Sequence, residues 1–148
     1  MLNLKENVAA SATFQTWIGA TGDAAAKLAA ARLRIYEIAV STPTRPFAII
    51  ELGPEYNAQR NGHGTCDAFI HSGGLFLVFE ALATDADDKA ALKAFTLIVD
   101  AVIDELLIFS GQGGYLAIEN LSLDEGPEFV ELDQEERIIQ VKYKINWK

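Results

Sequence analysis

The longest run of helical periodicity lies between Thr84 and Gly114. Leu92, Phe95, Val99, Val102, Leu106 and Phe109 recur at alternating steps of three and four, and Ala91, Ile98 and Ile103 broaden the row into one apolar face. The spacing predicts one long amphipathic helix. Thr84 or Asp85 supplies its cap, Asp87 and Asp88 suit the positive end of its dipole, and Ser110-Gly-Gln-Gly-Gly stops it. At 1.5 Å per residue such a helix is roughly 37 Å long, and its large apolar side chains stabilise docking by something on the order of 10 kcal/mol. It needs a sheet beneath it.

Upstream, Lys5 to Ile18 reads as a first helix, with Val8, Ala12 and Gln15 on one row, Leu4, Phe14, Trp17 and Ile18 filling around it, and Gly19 and Gly22 breaking it. Asp23 to Ala31, rich in alanine and capped by Thr21 or Asp23, predicts a short second helix. Period two begins at Leu33: Leu33, Ile35 and Glu37 alternate with Arg34, Tyr36 and Ile38, and Pro43 and Pro46 then mark a turn. Phe47 to Leu52 is apolar on both faces, which predicts an interior strand closed by Gly53-Pro54. Glu55 to Thr65 is polar and predicts an exposed loop or hairpin tip, Cys66 to His71 a returning strand, and Ser72-Gly-Gly another turn.

Leu75 to Ala83 is the strongest candidate for a central strand and leads straight into the long helix. Beyond that helix, Tyr115 to Leu123 predicts a strand, Glu125-Gly126-Pro127 a bend, and Ile139 to Trp147 the cleanest alternation in the chain: Ile139, Val141, Tyr143, Ile145 and Trp147 against Gln140, Lys142, Lys144 and Asn146. The expected fold is a single α+β domain over residues 1–148, a mainly antiparallel sheet of four to six strands with the long helix and the N-terminal helices packed on it.

Composition narrows the function. The 148-residue chain is half hydrophobic, yet Asp100 and Asp104 interrupt its longest apolar stretch short of the ~20 residues a membrane helix requires. MLNLKENVAAS lacks the basic start and apolar run of a signal peptide, and the lone Cys66 fits a reducing compartment. A net charge of −9 argues against nucleic-acid binding, which depends on clustered Lys and Arg. The charge is uneven: Asp124, Glu125, Glu128, Glu131, Asp133, Glu135 and Glu136 crowd one segment, and Lys142, Lys144 and Lys148 follow it. A solvated loop beside an edge strand explains that segment, and so does a surface that fixes a partner's register.

His63, Cys66 and His71 are the one grouping that suggests metal binding or nucleophilic catalysis, with Asp67 as a fourth ligand on paper. Their spacing matches no metal or thiol-protease signature, so they read as loop and edge residues. Asp85, Asp87 and Asp88 lack the glycine and distal Glu of a calcium loop and read as helix capping. Gly111-Gln-Gly-Gly follows a helix rather than opening one, and so is not a phosphate loop. Asp104 and Glu105 are adjacent and point apart on a helix, the wrong arrangement for acid–base work. No enzyme, cofactor or metal is expected.

ENVAASATFQTWIGA, PFAII, SGGLFLVFEA, FSGQGGYLAIENLSL and IIQVKYKINW, in that order and over nearly the whole chain, resemble the tail-terminator and tail-completion proteins of long-tailed phages and prophages. The resemblance implies a small α+β protein that forms a hexameric ring on the end of the tail tube, stops its polymerisation and joins tail to head. The implied partners are further copies of the chain, the tail-tube protein and the head–tail connector protein, with DNA passing through the ring and no membrane. Assembly takes place in the bacterial host cytoplasm and the protein ends up in the virion.

A ring needs two different patches per subunit. The acidic residues Asp124, Glu125, Glu128, Glu131, Asp133, Glu135 and Glu136 form one candidate, and Arg32, Arg34, Lys142 and Lys144 the other. Glu55 to Thr65 is a candidate for reaching the tube or lining the lumen. Two other readings stay open. One is a ligand- or metal-binding protein or enzyme built on His63, Cys66 and His71; the other is a different neck, head-completion or tail-tube subunit.

Overall fold

A computed structural model of the protein describes residues 2–19, 33–35, 45–52, 57–61, 68–72, 75–110, 118–130 and 136–147. Helices α1 (Leu2–Ala10) and α2 (Ala12–Trp17) precede strands β1 (Leu33–Ile35), β2 (Phe47–Leu52), β3 (Asn57–Asn61), β4 (Ala68–Ser72) and β5 (Leu75–Leu82). Helix α3 (Asp88–Ser110) and strands β6 (Ile118–Val130) and β7 (Ile138–Trp147) follow. Five strands form one sheet in the order β1-β2-β5-β7-β6, with β1 parallel to β2 and every other neighbouring pair antiparallel. Strands β3 and β4 pair separately. The fold is α+β, as the pattern predicts, with the helices on one face of a mainly antiparallel sheet.

Alternation along the strands decides what that face buries. Ala48 and Ile50 of β2, Leu77, Phe79 and Ala81 of β5, and Ile139, Val141 and Tyr143 of β7 meet Ala91, Phe95, Val99, Val102, Ile103 and Leu106 of α3 in one cluster. Leu4 and Val8, one turn apart on α1, and Phe14 on α2 complete it. Trp17 bridges the layers, its ring 5.8 Å from Phe95 and 6.3 Å from both Phe14 and Phe79, while Phe79 meets Tyr143 edge-on at 6.3 Å.

The expected single helix over Lys5 to Ile18 is two. The backbone of Ser11 is extended (φ −61°, ψ 121°), and its buried hydroxyl accepts the Phe14 amide at 3.1 Å, so it caps α2. Gln15 reaches back to donate to the Ala9 carbonyl at 2.8 Å, satisfying an acceptor that the break frees. Gly19 ends α2 as expected, with φ +76°, a conformation costly for other residues.

The start of α3 is also corrected. Its cap is Asp87 rather than Thr84 or Asp85: the Asp87 carboxylate accepts the Ala90 amide at 2.9 Å and its carbonyl the Ala91 amide at 2.9 Å. Asp85 instead accepts the Asp87 amide at 2.9 Å in the turn before the helix. The 23-residue helix is about 35 Å long.

Two further expectations change. Strand β3 lies inside the polar stretch Glu55 to Thr65, where backbone pairing to β4 outweighs the poor strand propensity of Asn57-Ala-Gln-Arg-Asn. No bend falls at Glu125-Gly126-Pro127. β6 runs through it with register shifts between Leu123 and Glu125 and between Glu125 and Glu128, which accommodate a proline that cannot donate to a ladder. The second helix expected over Asp23 to Ala31, the strand residues Tyr36 to Ile38 and the glycine stop after Ser110 lie outside the described residues.

Candidate functional site

The sheet face away from the helices carries the chain's polar constellation. Register aligns Phe47, Glu80, Gln140 and Glu128 in one row across β2, β5, β7 and β6. Glu80, 8% exposed, is a carboxylate inside an otherwise apolar central strand, and a charge so placed is tolerable only when paired. Arg45, immediately before β2, places Nε and Nη2 each 2.6 Å from Glu80 Oε1, and Gln140 Nε2 donates to Oε2 at 3.1 Å. Arg45 also lies 3.6 Å from the exposed Glu136 and packs its guanidinium 5.8 Å from the Phe47 ring centre. Phe47, Val78 and Ile138, at neighbouring register positions on the same face, are buried.

Farther along the same face, Lys142 stacks its ammonium 4.3 Å from the Phe76 ring centre and lies 3.5 Å from the exposed Glu51 carboxylate. Both contacts keep water, so they are worth about 1 kcal/mol or less each. Lys144 is half-exposed and has no ion-pair partner among the described residues.

Arg137, just before β7, ties three elements together. It donates to the Asp85 carbonyl at 2.7 Å, pairs with the Asp88 carboxylate, and lies 5.2 Å over the Phe129 ring of β6. On the helix side, Glu105 of α3 takes hydrogen bonds from the amide and hydroxyl of Thr13 at the start of α2. Burial works against its charged form, but the hydroxyls of Ser11 and Thr13 and the amides of Thr13 and Ala12 outweigh it and hold the carboxyl below its ordinary value. Burial, then the charge and hydrogen bond of Asp100 at 3.4 Å, push the Tyr143 hydroxyl up to about 12. Beside Thr13, an open groove of about 320 Å³ is lined by Ala12, Thr13, Thr16, Trp17 and Ile98.

The residues singled out in the sequence separate. His63, Cys66 and Asp67 lie outside the described residues, and His71 lies on β4 opposite Ala58. No group of three or more metal-ligating residues occurs among the described ones. Arg34 is the middle residue of β1; Asp124, Glu125 and Glu128 lie on β6; Glu136, Lys142 and Lys144 belong to the start and middle of the β7 segment. Arg32, Glu131, Asp133 and Glu135 lie outside the described residues. β6 and β7 are neighbours, and Glu125 pairs in register with Lys142, so the acidic segment and two of its proposed basic partners share one end of one subunit's sheet. Arg34 stands at the other end.

Sequence reasoning missed the Arg45–Glu80–Gln140 group. The signal was a single acid in the run Leu75 to Ala83, which demands a partner. Among the described residues no helix is long and apolar enough to cross a membrane. Neither a protein-family model, a curated protein nor a solved structure matches the chain.

Proposed function

We propose that this chain is a structural subunit of a phage virion: a ring, of six copies by the family resemblance, that sits on the end of the tail tube, stops its growth and joins tail to head. The observation that carries the reading is the sequence resemblance over nearly the whole chain to tail-terminator proteins, which implies a small α+β protein, and the chain folds as α+β. A sheet whose two ends differ in sequence and charge supports it further, because a closed ring uses unlike patches on each subunit. The partners are further copies of the chain, the tail-tube protein and the head–tail connector protein. A net charge of −9 suits a ring that lets DNA pass without holding its phosphates. The role requires no substrate, cofactor or metal.

Negative-stain microscopy of the purified protein, with and without the tail-tube protein, tests this. Single rings that cap tubes are the expected result. Filaments of this chain alone would assign it to the tube, and stoichiometric zinc with no ring would return the reading to His63, Cys66 and His71.

A further inference from the structure

The solvent face of α3 carries a charge order that its own chain does not use. Lys89, Lys93, Leu97, Asp100 and Asp104 recur at steps of three and four, and all of them are exposed. They lie on the side of the helix opposite Phe95, Val99, Val102 and Leu106, which enter the core. At the middle of the row Leu97, 62% exposed, holds a large apolar side chain in water. The bases occupy the first half of the row and the acids the second. Lys89 and Lys93 are four residues apart, as are Asp100 and Asp104, so within one helix each like-charged pair repels. Lys89 also stands in the first turn, where the helix dipole disfavours a cation. Among the described residues Lys89, Lys93 and Asp104 have no ion-pair partner, while Asp100 takes the Tyr143 hydroxyl at 3.4 Å and stays exposed.

We infer that this face docks on the same face of a second copy of the chain, the two α3 helices running antiparallel about a two-fold axis. Antiparallel pairing brings Lys93 to Asp100 of the partner subunit and Lys89 to Asp104 of the partner subunit. Both pairings share one midpoint, between Thr96 and Leu97, so a single register satisfies both, and each occurs twice by symmetry. The same register sets Leu97 within about 1.5 Å, along the helix axis, of the level of the partner's Leu97. Parallel pairing in register would instead set base on base and acid on acid. Two helices about 10 Å wide that touch along about 22 Å cover less than the ~800 Å² per partner of a standard interface. The association is therefore weak, with a Kd on the order of 10–100 µM, and sensitive to salt because its ion pairs stay wet. The contact goes beyond the ring reading and does not rest on it. A two-fold contact uses one patch twice and stops at a pair, whether each copy is free or already in a ring.

Sedimentation velocity of the purified chain across about 5–200 µM tests this. The native particle mass is expected to double with concentration, from one chain to two or from one ring to two. Between 0.1 and 1 M salt, as the screening length shrinks from about 10 to 3 Å, the association constant should fall about tenfold or more. Leu97→Arg, which puts two cations at the axis from an exposed position, should abolish the doubling. Variant one carries Lys89→Glu and Lys93→Glu; variant two carries Asp100→Lys and Asp104→Lys. Neither is expected to pair alone, whereas an equimolar mixture pairs, because an all-acid face then meets an all-base one. Circular dichroism checks that each keeps the native fold, and Asp104→Lys alone replaces variant two should losing the Tyr143 contact unfold it. A native mass that never doubles, a doubling that survives both Leu97→Arg and 1 M salt, or folded variants that do not pair when mixed would each overturn the contact. Rings that form and never pair would do so while leaving the ring reading standing.

Discussion

On the helix-covered face of the sheet, Leu77, Phe79, Val141 and Tyr143 stack against α3 with no charged side chain among them. On the opposite face, β5 and β7 hold Glu80, Gln140 and Lys142, Arg45 and Lys142 lie against the Phe47 and Phe76 rings, and each polar group has a named partner. The first face stabilises by removing apolar area from water and forgives exchanges that conserve volume. The second discriminates: an Arg–carboxylate–amide row is satisfied only when β2, β5 and β7 stand in this register, and a slip by one residue would carry Glu80 into the apolar core. One face makes the sheet stable and the other makes its alignment unique.

Three substitutions sharpen that contrast. The largest effect is expected for Phe79→Ala, which removes a fully buried ring from between Trp17 and Tyr143; denaturant unfolding should show a loss of about 3–5 kcal/mol. Glu80→Ala should cost about 2 kcal/mol, below the usual range for a broken buried pair because Arg45 keeps some water and the nearby Glu136. The double variant Arg45→Met/Glu80→Leu should lie within about 1 kcal/mol of the native protein, since it leaves no charge unpaired. Equal losses in single and double variants would mean that the second face, too, stabilises mainly through area.

The smallest loss among the single substitutions belongs to Glu105→Gln, about 1 kcal/mol at neutral pH. The Glu105 carboxyl is held below its ordinary value of 4.5, so its contribution is complete above that value and disappears as pH falls through the lower folded-state value. Unfolding midpoints of native and Glu105→Gln proteins should therefore differ at pH 7 and converge as the pH drops below about 4. A gap that persists at pH 3 would show that shape, not charge, fastens α2 to α3.

Periodicity made the central elements legible. The α3 stripe from Ala91 to Leu106, the two-faced apolar strand β2, the central strand β5 and the alternation of β7 are all in the sequence, because each buries enough apolar surface for its pattern to survive. What escaped was decided by single polar groups or by backbone pairing. The Ser11 hydroxyl splits one apparent helix, Asp87 outcompetes Thr84 and Asp85 as the cap, and β3 forms from a stretch with almost no strand character. The polar group around Glu80 was illegible for a related reason. Its members come from three strands or their margins, and no local spacing announces Arg45 and Gln140 as partners 35 and 60 residues away from one carboxylate.

The position of β7 has a consequence for how the molecule is made. β7 follows every other described strand in the chain, yet it lies between β5 and β6, and β6 has no other described neighbour. As the polypeptide leaves the ribosome, β5, α3 and β6 emerge with the middle of their sheet missing, and Arg137 arrives only then to fasten the start of α3. Pairing β5 with β7 closes a loop of some sixty residues, from Leu75↔Ile145 to Leu82↔Ile138, the kind of distant pairing that slows folding. Completion of the sheet therefore waits for β7: until Ile138 and the residues after it emerge, β1, β2 and β5 can pair, but β6 has no strand to join.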